Sequence, residues 1–332
     1  MNKIFVTYIL SVIVLIISVW LALSIGSVSI PMETLWNKEA NPTAYHILWQ
    51  IRMPRIVLAA LVGAALAISG AALQGLLKNP LADPYTLGIS SGASLGAVAT
   101  IFFGISLPFL TRFTLPLFSM VGAASTMLVV LLFAKLVDRT MKMETLLLTG
   151  IIFSSFLSSC ISLMIALTGE ELRAIIGWLL GSVSNRGWIY VKMILPFMAI
   201  GVILLWLQRR ELNALIYGED KAHYLGVHVK RSKYSLLIGA SILTGSAVAV
   251  SGTIGFVGLV VPHMMRAMIG SDHRHLLPIS FLNGATLLIV CDLVSRTIIA
   301  PTELPIGVIT SFIGAPVFAY IFFKKRRIRG GV

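Results

Sequence analysis

The strongest constraint on this chain is a rhythm of uncharged apolar stretches, each long enough to cross a lipid bilayer. A helix needs about 20 apolar residues, at about 1.5 Å each, to span a hydrocarbon core of about 30 Å. Such stretches run over 4–30, 56–77, 84–111, 113–134, 145–169 and 187–208, the last with Lys192 near its start, where its stem can snorkel. The run over 234–262 is too long for one crossing, and Gly252, Gly255, Gly258 and Pro262 interrupt it. That predicts a full helix to about 252 and a short one over about 253–268. With 276–296 and 304–323 the total is ten. The expected fold is all-α, a single polytopic membrane domain over 1–332.

Composition agrees. Of 332 residues, 57% are apolar and 12% charged, with mean hydropathy +0.93, against about 25% charged in a soluble domain. A soluble enzyme and a disordered chain are both excluded. The net charge of +13 then has to be read by position. With ten spans and the N-terminus inside, 18 of the 26 Lys and Arg fall on the cytoplasmic side, among them Lys3, Lys78, Lys135, Arg139, the cluster over 209–233 and the tail Lys324–Arg329. Eight fall outside: Lys38, Arg52, Arg55, Arg112, Arg173, Arg186, Lys192 and Arg296. Cytoplasmic loops collect positive charge, so both termini are expected in the cytoplasm, and the tail is a lipid anchor rather than a nucleic-acid patch. Lys3 before an apolar run imitates a signal peptide, but the run exceeds the about 7–15 residues of such a core and no small-residue cleavage site closes it. Cys160 and Cys291 sit in apolar runs at no metal-binding or disulfide spacing.

An internal repeat supports a transporter. Gly63-Ala-Ala-Leu-Ala-Ile-Ser-Gly70 returns as Gly245-Ser-Ala-Val-Ala-Val-Ser-Gly252, with five of eight positions identical at an offset of 182, and Pro80 then falls on Pro262. The copies lie five spans apart, so they are expected to run in opposite directions, an inverted repeat with halves at about 54–167 and 234–323. Gly, Ala and Ser serve close helix approach, because lipid gives helices no hydrophobic drive to associate.

Three polar intervals are more elaborate than turns. Leu77-Lys-Asn-Pro-Leu-Ala-Asp-Pro84 joins spans two and three on the cytoplasmic side; its prolines bar helix continuation, which suits a tight reversal or a constriction at the inner mouth of a pore. Between spans six and seven, Leu212, Leu215 and Ile216 share a helical face, Gly218 interrupts, Glu219 and Asp220 open a second short helix, Ala222 and Leu225 share its face, and Gly226 ends it. Two short amphipathic helices over about 211–228 are expected, with an apolar stripe facing out of the membrane for a protein partner or an interfacial lipid. Outside, Arg52-Met-Pro-Arg55 precedes span two and reads either as interface anchors or as a cradle for a soluble partner's carboxylates. Asp292 stands alone in span nine, four residues before Arg296, with which it can pair. No chain of buried carboxylates offers ion coupling, no nucleophile–base pair offers catalysis, and His263 has no second metal ligand nearby. Such a transporter needs its energy delivered from outside.

The residues resemble a family. Arg52-Met-Pro-Arg55, Gly63–Gln74, Asn79-Pro-Leu-Ala-Asp-Pro84-Tyr-Thr-Leu-Gly88, Gly252-Thr-Ile-Gly-Phe-Val-Gly-Leu-Val-Val-Pro-His263-Met-Met-Arg266 and Glu303-Leu-Pro-Ile-Gly307 are similar to the permease subunits of bacterial ABC importers for iron–siderophores, haem and vitamin B12, the FecCD-like family. The resemblance covers about residues 5 to 325. It implies a multi-pass subunit of the bacterial cytoplasmic (inner) membrane, acting as a homo- or heterodimer with the pathway between the copies. It implies two cytoplasmic ATP-binding subunits, which hold the ATP and Mg that this chain does not, and an extracytoplasmic substrate-binding protein. It also implies docking of that protein by Arg52, Arg55 and Arg296, an inner gate at Asn79 and Leu81, and ATPase coupling through Leu212, Leu215, Ile216, Gly218, Ala222, Leu225 and Gly226. No catalytic or metal-binding residue is implied. Iron(III)–siderophore leads as cargo, ahead of vitamin B12 and haem; a stand-alone secondary carrier is the remote alternative.

Overall fold

In a chain solvated by lipid, helices turn small and hydroxylated residues toward one another and large apolar ones outward. The first helix of the computed structural model, α1 (Lys3–Ser24), does so: its buried residues are Thr7, Ser11, Ser18, Ala22 and Leu23, while Phe5, Ile9, Ile13, Ile16 and Trp20 are exposed. The structure describes residues 3–26, 41–138 and 141–329, so Lys38, Arg139 and the end of the first expected span, 27–30, lie outside the described residues.

The next apolar segment is one helix of 35 residues, Pro42–Leu76, built from α2 (Pro42–His46), a π-helical stretch (Ile47–Arg52) and α3 (Met53–Leu76). Arg52 to Arg55 therefore lie within a helix and not in a loop ahead of it, which corrects the sequence expectation. A proline lacks the N–H and crowds the carbonyl four residues back. The wider π turn, in which the Met53 N–H reaches back to the Leu48 carbonyl, meets Pro54 on entry.

A 3-10 turn (Pro84–Leu87) then leads into α4 (Ile89–Phe102), shorter than the sequence suggested because 103–110 form a loop. There follow α5 (Thr111–Val137), α6 (Met143–Leu167), the short α7 (Leu172–Leu179), α8 (Gly187–Leu207), α9 (Arg209–Ile216), α10 (Glu219–Tyr224), α11 (Val229–Ser251), α12 (Val257–Ile269), α13 (His273–Thr297) and α14 (Ile306–Arg329). Among the described residues seven helices are long and apolar enough to cross a membrane, and three shorter apolar ones, α4, α12 and the start of α14, complete the ten segments expected. α7 was not foreseen: its Ile175 and Trp178, one turn apart, are buried within what looked like an outer polar interval.

α3 is the axis of the molecule, with 20 of its 24 residues buried among α8, α11, α12 and α13. The small-residue motif makes this possible. Gly63 lies against the Gly284 carbonyl of α13 and Gly70 against the Gly258 carbonyl of α12, so closely that a Cβ at either would collide with backbone. The second copy of the motif falls on α11, which α3 meets through Ser69, its hydroxyl 2.9 Å from that of Thr244 and donating to the Ala240 carbonyl. α11 stops at Gly252 (φ +72°), and the chain re-enters a helix only after Phe256.

Candidate functional site

The candidate side chains gather at the two ends of α3, about 30 Å apart over about twenty residues of helix. At its first end, Arg55 donates from Nε to Asp292 Oδ1 of α13 at 2.8 Å and from Nη1 to both oxygens of Glu303, at 2.8 and 3.0 Å. Ser184 Oγ also donates to Glu303. Arg296 stands 3.7 Å from Asp292 Oδ2, the pairing along the helix that the sequence suggested, and donates to the Ala22 carbonyl of α1. Arg52 donates to the Leu23 and Ser24 carbonyls. The buried Asp292 carboxylate and the arginines around it thus tie together α1, α3, α13 and the loop before α14. Burial works to raise the Glu303 carboxyl, but the bonds from Arg55 and Ser184 and the charges of Arg55 and Arg296 hold it below its ordinary range.

The three arginines are 5–8% exposed, so they are not a free surface. Each already has partners within the chain. Another protein's carboxylate would reach Arg55 Nη1 only by replacing Glu303.

At the other end of α3 the chain reverses in a tight turn. Lys78 takes a left-handed conformation (φ +49°), the Asn79 side chain accepts from the Leu81 N–H at 2.9 Å, and Asp83 caps the 3-10 turn through the Tyr85 N–H. This self-bonded Asx turn projects Leu81, which is 41% exposed. The Tyr85 hydroxyl accepts from the Ile254 N–H at 2.8 Å, tying the turn to the break between α11 and α12.

Beside it lie α9 and α10, hinged at Gly218 (φ +116°). The sequence expected one apolar stripe facing away from the membrane. Instead the stripe is divided. Leu212, Leu215 and Ala222 are buried against the body of the protein, while Ile216, Tyr217, Tyr224 and Leu225 are exposed, the last three by 70% or more. Gly226 ends the pair in a left-handed turn. Amphipathic spacing marks a face without saying which side receives it, and α9 uses its face on α3, where Leu212 meets Gly75.

Two polar latches hold this hairpin, and the sequence showed neither. Asn213 of α9 donates to Asp272 at 2.6 Å and accepts from the His273 N–H at 2.8 Å, fastening α9 to the start of α13. Lys233 of α11, 2% exposed, pairs with Glu219 of α10 at 2.6 Å and donates to the Met141 carbonyl, in the turn before α6, at 3.0 Å. In sequence, Lys233 was one more cytoplasmic charge and Glu219 one more helix-start acid; only the fold brings them together.

This architecture has known counterparts. The FecCD transport family matches residues 14–324. The chain is 56% identical to the uncharacterised ABC transporter permease protein YvrB of Bacillus subtilis (strain 168), over 98% of this chain and 96% of that one. It is 42% identical to the hemin transport system permease protein HmuU of Yersinia pestis, over 96% of each. A solved ABC transporter described as of metal-chelate type, in an inward-facing conformation, superposes with a TM-score of 0.85 at 32% identity, covering 95% of this chain and 97% of that one. With the family matched over nearly the whole length and the helices to cross a bilayer repeatedly, this multi-pass membrane protein belongs to the FecCD transport family.

Proposed function

We propose that the chain is the permease subunit of an ABC importer for iron(III)–siderophore complexes, forming its pathway as a dimer and driven by ATP hydrolysis on two cytoplasmic partner subunits. The observation that carries this reading is the α9–α10 hairpin. It is seated on the body through Leu212 and Leu215 and presents bare Tyr217, Tyr224 and Leu225 on the other side. Exposed aromatic and aliphatic side chains on an otherwise polar, basic surface are what a protein contact requires, and the hairpin supplies the coupling that a carrier without ion-binding carboxylates needs. A stand-alone carrier would have no use for it.

The lysine and arginine distribution supports placing α9, α10 and both termini in the cytoplasm. The clasp around Asp292 then faces outward, and the extracytoplasmic binding protein docks there through Arg52, Arg55 and Arg296, with Glu303 yielding its place on Arg55. Asn79 and Leu81 form the inner gate against the second permease copy, and the two motif copies on α3 and α11 mark the inverted repeat. Haem is the second cargo reading, favoured by the hemin permease among the relatives.

The test is reconstitution in proteoliposomes with the ATP-hydrolysing subunit and the binding protein. Radio-iron-labelled ferric hydroxamate and ferric citrate are compared with hemin and cobalamin. Uptake of a ferric chelate that stops when the ATPase is omitted is expected. Uptake without it would favour a secondary carrier, and preference for hemin or cobalamin would move the cargo.

A further inference from the structure

We infer that Lys233 is a positioning residue that joins the coupling hairpin to the inner gate. The inference rests on the reading above that α9 and α10 receive the ATPase and that the Asn79–Leu81 turn gates the pathway. Among the described residues Lys233 is the largest of the fully buried side chains. A buried ammonium is costly unless each donor finds an acceptor and its charge is balanced. Here the balance comes from Glu219 in the first turn of α10, at 2.6 Å, and a further acceptor is the Met141 carbonyl, at 3.0 Å. One cation therefore holds three segments: the coupling helix, the foot of α11 and the turn that starts α6.

From Met141 the connection runs on through packed structure. Met141 is itself fully buried, in a left-handed conformation (φ +51°) directly ahead of α6. α6 is a sparsely anchored helix whose buried residues are Leu146, Thr149, Gly150 and Ile161. Gly150 lies against the Thr86 carbonyl and the Leu87 backbone, so the inner half of α6 rests on the 3-10 turn that follows the gate. Between Asn79 and Thr86 the turn is bound to itself by the Asn79 and Asp83 side chains and by the Thr86 hydroxyl on the Asp83 carbonyl. A displacement of α10 acts on Glu219, through Lys233 on Met141, through α6 on Thr86, and so on Leu81.

The other latch has a different destination. Asn213 fastens α9 to α13, the helix that carries Asp292 and Arg296 to the opposite end. The two coupling helices are thus tied to separate parts of the permease, α9 to the outer clasp and α10 to the inner gate. Glu219 holds Lys233 from a side chain that is itself 40% exposed, so its substitution is read by transmission and by ATPase binding together.

The experiment uses the full complex with its ATP-hydrolysing subunit, in nanodiscs. Leu81→Cys is introduced in a background lacking Cys160 and Cys291, and the rate of its reaction with a thiol reagent is read without nucleotide and with ATP and vanadate. Binding of the ATPase is measured in parallel. With Glu219 intact, reactivity is expected to change by at least about fivefold between the two states, the scale of an ordinary coupling between sites. In Glu219→Gln, which keeps the shape and removes the charge, ATPase binding is expected to persist while the change falls below about twofold. A full nucleotide response in Glu219→Gln would overturn the inference. So would loss of ATPase binding in that variant, since the pair would then only shape the docking surface. No response even with Glu219 intact would instead sink the gate reading on which the inference stands.

Discussion

At the scale of single residues, Asp292 decides the outer end of the molecule. It is 1% exposed and stands between Arg55 and Arg296, both buried. Asp292→Asn leaves Arg296 without its buried carboxylate partner and Arg55 with Glu303 alone, and breaking a buried pair from one side costs about 3–5 kcal/mol. Folded protein recovered from the membrane and its midpoint of thermal unfolding in detergent should both fall sharply, and wild-type values for the variant would show that the clasp is solvated. The same reasoning changes what Arg55→Glu is expected to do: it loses folded protein before it loses docking. Glu303, with its side chain 40% exposed, behaves differently. Its carboxyl is held below the ordinary range, so its contribution is fully present above the unfolded value of about 4.3 and is lost as pH falls through the folded one. Near neutral pH that contribution is complete and stability should change little with pH, and Glu303→Gln should remove part of the decline at acid pH. A Glu303→Gln stability curve parallel to the wild type down to pH about 3 would contradict the shift.

At the scale of elements, α9 and α10 show where sequence reading succeeds and where it stops. Their existence, the glycine hinge and their amphipathic spacing were all legible, because each follows from local periodicity and turn chemistry. Which side their apolar residues face was not, because a stripe fits a membrane protein's own body as well as a partner. The two leucines now separate these roles. Leu215→Asp puts an unpaired charge into a site 2% exposed and should cost several kcal/mol, of the order of a broken buried pair. Leu225→Asp, at a site 70% exposed, should change stability by no more than about 0.5 kcal/mol yet weaken ATPase association at least tenfold. Co-purification with the ATPase beside thermal unfolding checks both; equal effects of the two substitutions would refute the division of the stripe. The same limit appears at α3. Its small-residue motif announced close helix approach, but only the fold shows that Gly70 meets the Gly258 carbonyl. Gly70→Val must push α12 away, at about 1–3 kcal/mol or more for overpacking, which the same unfolding measurement would register.

At the scale of the whole molecule, ten apolar segments, a break at Gly252 and the family were readable because the bilayer imposes length and polarity on every crossing. The ion pairs were not, apart from Asp292 with Arg296, since Arg55 with Glu303 and Lys233 with Glu219 join separate elements and carry no spacing signal. Orientation is the remaining global property, and the placement of lysine and arginine is what predicts it. Two exposed loop positions at opposite ends test it: Phe109, fully exposed in the loop between α4 and α5, and Leu225, exposed at the end of α10. Three crossings, α5, α6 and α8, lie between these positions, an odd number, so with the N-terminus inside Phe109 faces outward and Leu225 faces the cytoplasm. In right-side-out vesicles, Phe109→Cys should then react with a membrane-impermeant thiol reagent at once, and Leu225→Cys only after the vesicles are opened. The lysines and arginines that crowd the 209–233 side would have to cross the membrane for the opposite pattern, and such transfer is disfavoured during insertion. Labelling of Leu225→Cys from outside, with Phe109→Cys protected, would invert the molecule and move both the docking face and the coupling face to the wrong sides of the membrane for an ATP-driven importer.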